Sequence, residues 1–179
     1  MTRSTLGWSP ILLLAAGCGL GGGSSPNPQS SAFVFITVDK FDPSSVSSNV
    51  AQKNTDDTTA VTLRSNLRSP GLTTPSTLDD VVITSYSVGF SGPGPVPAPF
   101  TRAIIIRVPA GTVANGTVSD NVSEAVTLVV VQATDKRTAP LNTITQTFQA
   151  TATITFRGTD GRGSRVEASG GLVVVFTPS

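Results

Sequence analysis

The stretch ITQTFQATATITFR, residues 144–157, decides the fold. Ile144, Phe148, Ala150, Ala152, Ile154 and Phe156 fall on one side of an extended chain, and Thr145, Thr147, Gln149, Thr151, Thr153, Thr155 and Arg157 on the other. A period of two, in β-branched, aromatic and small polar residues, is the pattern of a strand with one face in a core and one in water. Thr159-Asp160-Gly161-Arg162-Gly163 follows as turn chemistry, and the alternation resumes through Val166, Ala168, Leu172, Val174 and Phe176. The two runs predict an antiparallel hairpin closed by an adaptable glycine-containing turn.

Upstream, the same period recurs over residues 32–38, 60–67, 81–90, 103–108 and 125–133, while no stretch after Ser31 sustains a helical period. Val82, Thr84, Tyr86, Val88 and Phe90 are expected to share the core face of the third run, with the Tyr86 hydroxyl at its edge. About seven short strands separated by Pro, Gly, Asn and Asp clusters predict an all-β domain, an immunoglobulin-like two-sheet antiparallel sandwich. The disulfide and buried Trp of antibody domains are absent from this body of the chain, because the single Cys and single Trp are Cys18 and Trp8. Packing alone has to hold the two layers together.

Composition excludes several function classes. A chain of 179 residues has room for one ordinary domain and a leader, not for a multidomain enzyme. It has 12 Lys and Arg against 11 Asp and Glu, so no long-range field draws in nucleic acid. His is absent, which removes serine-histidine and cysteine-histidine catalysis together with the common zinc and haem sites. No serine lies in a Gly-x-Ser-x-Gly elbow, the lysines are only Lys40, Lys53 and Lys136, and the glutamates only Glu124 and Glu167. A histidine-free hydrolase is the least favoured reading, and no cofactor is expected.

Residues 1–17 read as a secretory leader: a cationic start at Arg3, then the apolar run Ile11-Leu12-Leu13-Leu14-Ala15-Ala16, too short to cross a bilayer as a helix. Ala15-Ala16-Gly17-Cys18 resembles the lipobox of bacterial lipoproteins, with Ala15 where that family most often has Leu. The resemblance implies cleavage before Cys18, a diacylglycerol on its thiol, and usually an acyl chain on its freed amine. Several acyl chains hold a protein on a membrane far more firmly than one. By the sorting rule of some bacteria, Gly19 in place of an Asp implies the outer membrane. Residues 18–31, rich in Gly, Ser and Pro, are the expected tether, and 32–179 the folded domain. This body is similar to the small immunoglobulin-like sandwich lipoproteins of bacteria, most of all in the final hairpin and in Val108-Pro109-Ala110-Gly111. That similarity implies a fold and an address at the cell envelope, and carries over no active site.

If consecutive strands run antiparallel, their loops alternate between two ends. The end nearest the tether collects residues 67–80, 109–124 and the Asp160 turn, and the far end collects 39–59, 91–99 and 135–142. An anchored binding protein presents its far end, so the expected partners are the lipid bilayer at Cys18 and a protein or glycan at the far loops. Docking through a sheet edge, as a structural subunit of an envelope assembly, is the alternative. Asp56-Asp57 and Asp79-Asp80 are expected at opposite ends, about 25 Å apart at about 3.3 Å per residue. Asp39, Asp42, Asp56 and Asp57 are a candidate calcium set at the far end, although Lys40 sits among them and their spacing matches no EF-hand; turn and capping roles compete for the same carboxylates. Residues 91–100, SGPGPVPAPF, are expected to be a stiff crossover.

Overall fold

The computed structural model describes residues 33–68 and 74–178. The leader, Cys18, the tether and Ala32 lie outside them. Ten strands are present among the described residues: β1 Val34–Asp42, β2 Ser45–Asn49, β3 Asp57–Leu67, β4 Val81–Ser91, β5 Phe100–Val108, β6 Thr112–Ala114, β7 Thr117–Ser119, β8 Val126–Val131, β9 Phe148–Asp160 and β10 Arg165–Thr177. They form a three-stranded sheet in the order β1-β3-β8, a five-stranded sheet in the order β2-β10-β9-β4-β5, and the ribbon β6-β7. The two larger sheets pack face to face as an all-β sandwich.

All seven expected strands are found, and three more accompany them. One of these corrects the antiparallel expectation: β2 pairs parallel to β10, Ser45 opposite Val173 through Asn49 opposite Thr177. The chain reaches that position by leaving the three-stranded sheet at Asp42 and joining the other sheet at Ser45, with only Pro43 and Ser44 between. The core lies between the layers. Ile36, Leu63 and Leu128 come from one sheet and Ile83, Ile154, Phe156, Leu172 and Phe176 from the other, none more than 1% exposed. Each such side chain contributes about 1.5–3 kcal/mol on removal from water.

The final hairpin follows its sequence pattern, with a later start. Ala150, Ala152, Ile154 and Phe156 are buried and the intervening threonines face outward, but the ladder begins at Phe148, leaving residues 144–147 outside it. At the turn, the Asp160 carboxylate accepts from the Arg162 N–H at 3.0 Å and the Ser164 N–H at 2.7 Å. Gly163 adopts φ of 83°, a left-handed conformation that costs glycine little.

On β4 the expected face is wrong over its first half. Val81 and Ile83 are buried, Val82 and Thr84 are exposed, and from Tyr86 onward the even residues point inward. The cause is a bulge at Thr84: Ile83 pairs with Gly158 and Ser85 with Arg157, so one extra residue on β4 resets the alternation. Gly158 permits it, because a Cβ there would collide with the Val82 carbonyl and lie 2.7 Å from the Ile83 Cα. Beyond the bulge, Tyr86 is 3% exposed. Its hydroxyl donates to the Val129 carbonyl at 3.2 Å and accepts from the Val129 N–H at 3.1 Å. The phenol thereby ties β4 of one sheet to the free edge of β8 in the other.

Candidate functional site

At the end where the chain comes in, Phe33 lies beneath the Arg162 guanidinium, 4.8 Å from ring centroid to Cζ, and Arg162 in turn pairs with Asp79 at 3.1 Å. Burial alone would raise the Asp79 pKa, but bonds from the Ser76 N–H and hydroxyl, and the guanidinium of Arg162, outweigh it and hold it below the ordinary carboxylate range. Asp80 binds Arg107 at 2.6 Å and the Ala110 N–H at 2.9 Å. Asp79 and Asp80 are thus fastened at this end, and Asp56 and Asp57 open β3 at the other, as their positions in the sequence predict.

The opposite end is built from the segments before β3, between β4 and β5, and between β8 and β9. Its loops are ordered by side-chain bonds to main chain. Lys136, wholly buried, donates from Nζ to Asp57 Oδ1 at 2.7 Å and to the Thr55 carbonyl at 2.9 Å. Arg137 Nε donates to the Lys53 carbonyl at 2.7 Å, and Asp56 Oδ1 accepts from the Ala133 N–H at 2.7 Å. A buried cation with one carboxylate and one carbonyl holds two loops in register, and removing either charge would leave the other stranded.

Beside these anchors stands a polar group joining both sheets. Arg102 of β5 reaches Asp56 at 3.6 Å and donates to Gln132 Oε1 at 3.1 Å, while its guanidinium lies 5.8 Å from the Phe100 centroid. Burial pushes the Asp135 carboxyl pKa up, a bond from the Gln132 main chain opposes this, and the Asp56 charge adds to the rise. Asp135 Oδ2 is buried with no hydrogen-bond partner.

The four candidate calcium ligands are not brought together. Asp39 is bound by Arg64 at 2.7 Å in mid-sheet, Asp42 lies 3.8 Å from Lys40, Asp56 takes Ala133 and Arg102, and Asp57 takes Lys136. Among the described residues no three Asp, Glu or Cys side chains gather as a metal site. The reason is local: each carboxylate has a cation or an N–H of its own fold as its nearest partner.

The same end carries a cleft of about 370 Å³, walled by Pro93–Pro95 on one side and residues 143–148 on the other. No lining side chain is ionisable. At its floor Phe148 stacks on Phe176 with centroids 5.0 Å apart and planes at 22°, and Phe90 meets Phe176 edge-on at 6.2 Å. Gly94 lies so close to the Phe148 ring that a Cβ on it would collide with the ring. The proline-dense crossover is therefore seated on the core by one aromatic ring and one glycine. The alternation of residues 144–157 gave no sign of this cleft, since it depends on a crossover 50 residues earlier in the chain lying against Phe148.

Comparison of the chain with protein-family profiles, with curated proteins and with solved structures gave no match. Among the described residues no helix is long and apolar enough to cross a membrane.

Proposed function

We propose that this protein is a non-catalytic lipoprotein of the bacterial cell envelope, anchored through acyl chains on Cys18, that presents the rim opposite Phe33 to a protein or glycan partner. The observation that carries the reading is the placement of the cleft. The chain comes into β1 at Phe33, and β9 runs its 13 residues from Asp160 at that end to Phe148 at the cleft. At about 3.3 Å per residue the cleft stands about 40 Å from the end that an anchor preceding Phe33 would hold at the bilayer. The cleft lining, neutral throughout, supports binding over catalysis, because acid–base chemistry needs a titratable group within reach of the reacting atom.

The test has two arms. Mass spectrometry of the membrane-extracted protein should show acyl mass on a chain beginning at Cys18, and Cys18→Ser should release the domain from membranes. Deleting residues 91–99 should abolish partner capture from envelope extracts while the sandwich stays folded. An unmodified, membrane-free mature protein overturns the anchored reading.

The assembly role through a sheet edge has one observation in its favour. On the edge strand β5, Ile105 is 81% exposed beside a cleft of about 390 Å³ that also touches Val122 and Val126. That edge is also guarded: the register slips between Ile106 and Ala103, Arg102 and Arg107 lie along it, and prolines flank it at 99 and 109. Such devices discourage pairing with another strand.

A further inference from the structure

The end where the chain comes in carries two of the large apolar side chains that the described fold leaves in water: Phe33, 45% exposed, and Leu78, 53% exposed. Both adjoin one ion pair. Arg162 lies over the Phe33 ring and pairs with Asp79, the residue after Leu78. Gly161 packs so closely on the Leu78 main chain that a Cβ would sit 2.9 Å from its carbonyl oxygen. The Gly161 N–H donates to the Asp80 carbonyl at 3.2 Å, so the β9–β10 turn and the segment before β4 form one surface with Phe33 beside it.

The charges of this surface are layered. The Arg162 side chain is 44% exposed and that of its partner Asp79 only 3%, Arg107 stands outside Asp80 in the same way, and Asp160 is buried in the turn it closes. Arg68, whose N–H donates to the Phe33 carbonyl, and Arg165, at the start of β10, are exposed at the same end. A group arriving from solvent therefore meets guanidinium N–H groups and apolar carbon before it meets a carboxylate. Asp120 and Glu124, which are exposed, lie across β3 from β1 and Phe33, in the stretch where Asn121 accepts from the Ser65 N–H. Apolar side chains beside arginines suit the headgroup layer of a bilayer, where carbon reaches the acyl boundary and the guanidinium stays with phosphate.

The position of the anchor selects this occupant over a second protein. Phe33 follows Cys18 by 15 positions, and a Gly- and Ser-rich chain of that length spans about 20 Å root-mean-square. Acyl chains on Cys18 would hold this end, and not the cleft end, within that distance of lipid, where even a weak contact forms readily. We propose that Phe33, Leu78 and Arg162 seat the domain on the bilayer surface, the two apolar side chains entering the headgroup layer and the guanidinium binding lipid phosphate. The proposal rests on the anchored reading and adds an orientation to it, with the rim opposite Phe33 turned away from the membrane.

The test places one reporter on the seat and one away from it. Leu78→Trp and Phe33→Trp put an indole at the seat, and Val173→Trp puts one at an exposed site of β10, eight residues past Arg165 and about 26 Å along the strand. Each membrane-extracted protein is checked for acyl mass and reconstituted in phosphatidylcholine–phosphatidylglycerol vesicles whose acyl chains are brominated near the headgroup. Trp8, where retained, adds the same background to all three proteins. Quenching should be at least about twofold greater in the Leu78→Trp protein than in the Val173→Trp protein, since an interfacial apolar face reaches about 5–10 Å into the acyl boundary. Phe33→Trp should behave as Leu78→Trp does, and it decides the matter should the latter misfold. Adding Leu78→Asp to the Phe33→Trp protein should return quenching to the Val173→Trp level. Equal quenching at positions 78 and 173 in acylated protein overturns the seat and leaves the anchor standing; so does emission at position 78 that shifts with protein concentration and not with lipid. A mature chain without acyl mass overturns both.

Discussion

Replacing Tyr86 with Phe isolates one function of one atom. The ring stays, so its contacts with Phe100 at 6.5 Å and Phe156 at 6.4 Å are kept, and only the hydroxyl is lost. With it go two hydrogen bonds, to the N–H and the carbonyl of Val129. Each bond contributes about 0.5–1.5 kcal/mol net, and more where the abandoned group stays dry. Val129 is half-buried, so water replaces the phenol in part, and about 2 kcal/mol is expected for the pair. For a domain of this size that is a fall in Tm of about 4–8 °C.

Scanning calorimetry at pH 7 measures the fall directly, and its pH dependence supplies an internal control. Burial raises the Tyr86 pKa above its ordinary 10.0, offset only in part by the Val129 bond and the Arg102 charge. Because the folded protein holds the phenolic proton more tightly than the unfolded chain, this contribution is complete below about pH 10 and is lost as the pH climbs through the folded-state pKa. The gap in stability between the native protein and Tyr86→Phe should therefore narrow above about pH 10. An unchanged Tm at pH 7 refutes the cross-sheet tie. A gap that stays constant from pH 8 to 11 refutes the account of the buried phenol.

Gly158→Ala should destabilise by about 1–3 kcal/mol, because the collision is with backbone of β4 that cannot step aside, whereas Gly89→Ala in the same sheet, with nothing within 4 Å of the new Cβ, should change Tm little; urea melts of the two distinguish them. Asp135→Asn should raise Tm at neutral pH, since a carboxyl whose pKa is raised on folding stabilises only below its unfolded value and loses that stability as pH rises through the folded one; the gain should vanish below about pH 4. Asp79→Asn has the opposite sign: a carboxyl whose pKa is lowered contributes above its unfolded value, so the substitution should destabilise at pH 7 and matter progressively less on acidification below about pH 4, followed by thermal melts in a pH series.

How much of this was legible follows from where each feature's cause lies along the chain. The β9–β10 hairpin was legible because its alternation and turn occupy consecutive residues, and burial on one face simply obeys the pattern. The bulge on β4 was not, since Thr84 carries no mark of it; the enabling residue is Gly158, which the sequence shows 74 positions away. The β6–β7 ribbon had a readable signal in Asn115-Gly116, whose φ values of 51° and 78° are those of a tight hairpin turn. β2 had almost none, because SVSSN is short and polar and becomes a strand only through the edge of β10 beside it.

The candidate site divides the same way. Residues 39–49, read as part of the first far-end loop, are instead largely the end of β1 and the strand β2. That the segments before β3, between β4 and β5 and between β8 and β9 share an end could be reasoned from strand alternation. Which charges they spend on one another could not. Asp56 and Asp57 look free for an ion when read alone, yet Arg102 and Lys136 reach them from other strands, and a protonated amine or guanidinium within 4 Å competes with a divalent cation for the same oxygens. The neutral cleft emerges as a consequence. Charged residues at this end turn inward to fasten loops, with Lys136 fully buried in doing so, and the surface left beside Phe148 is prolines, threonine hydroxyls and bare main chain. A sequence low in charge that commits those charges to internal ties leaves shape and backbone groups as its means of recognition.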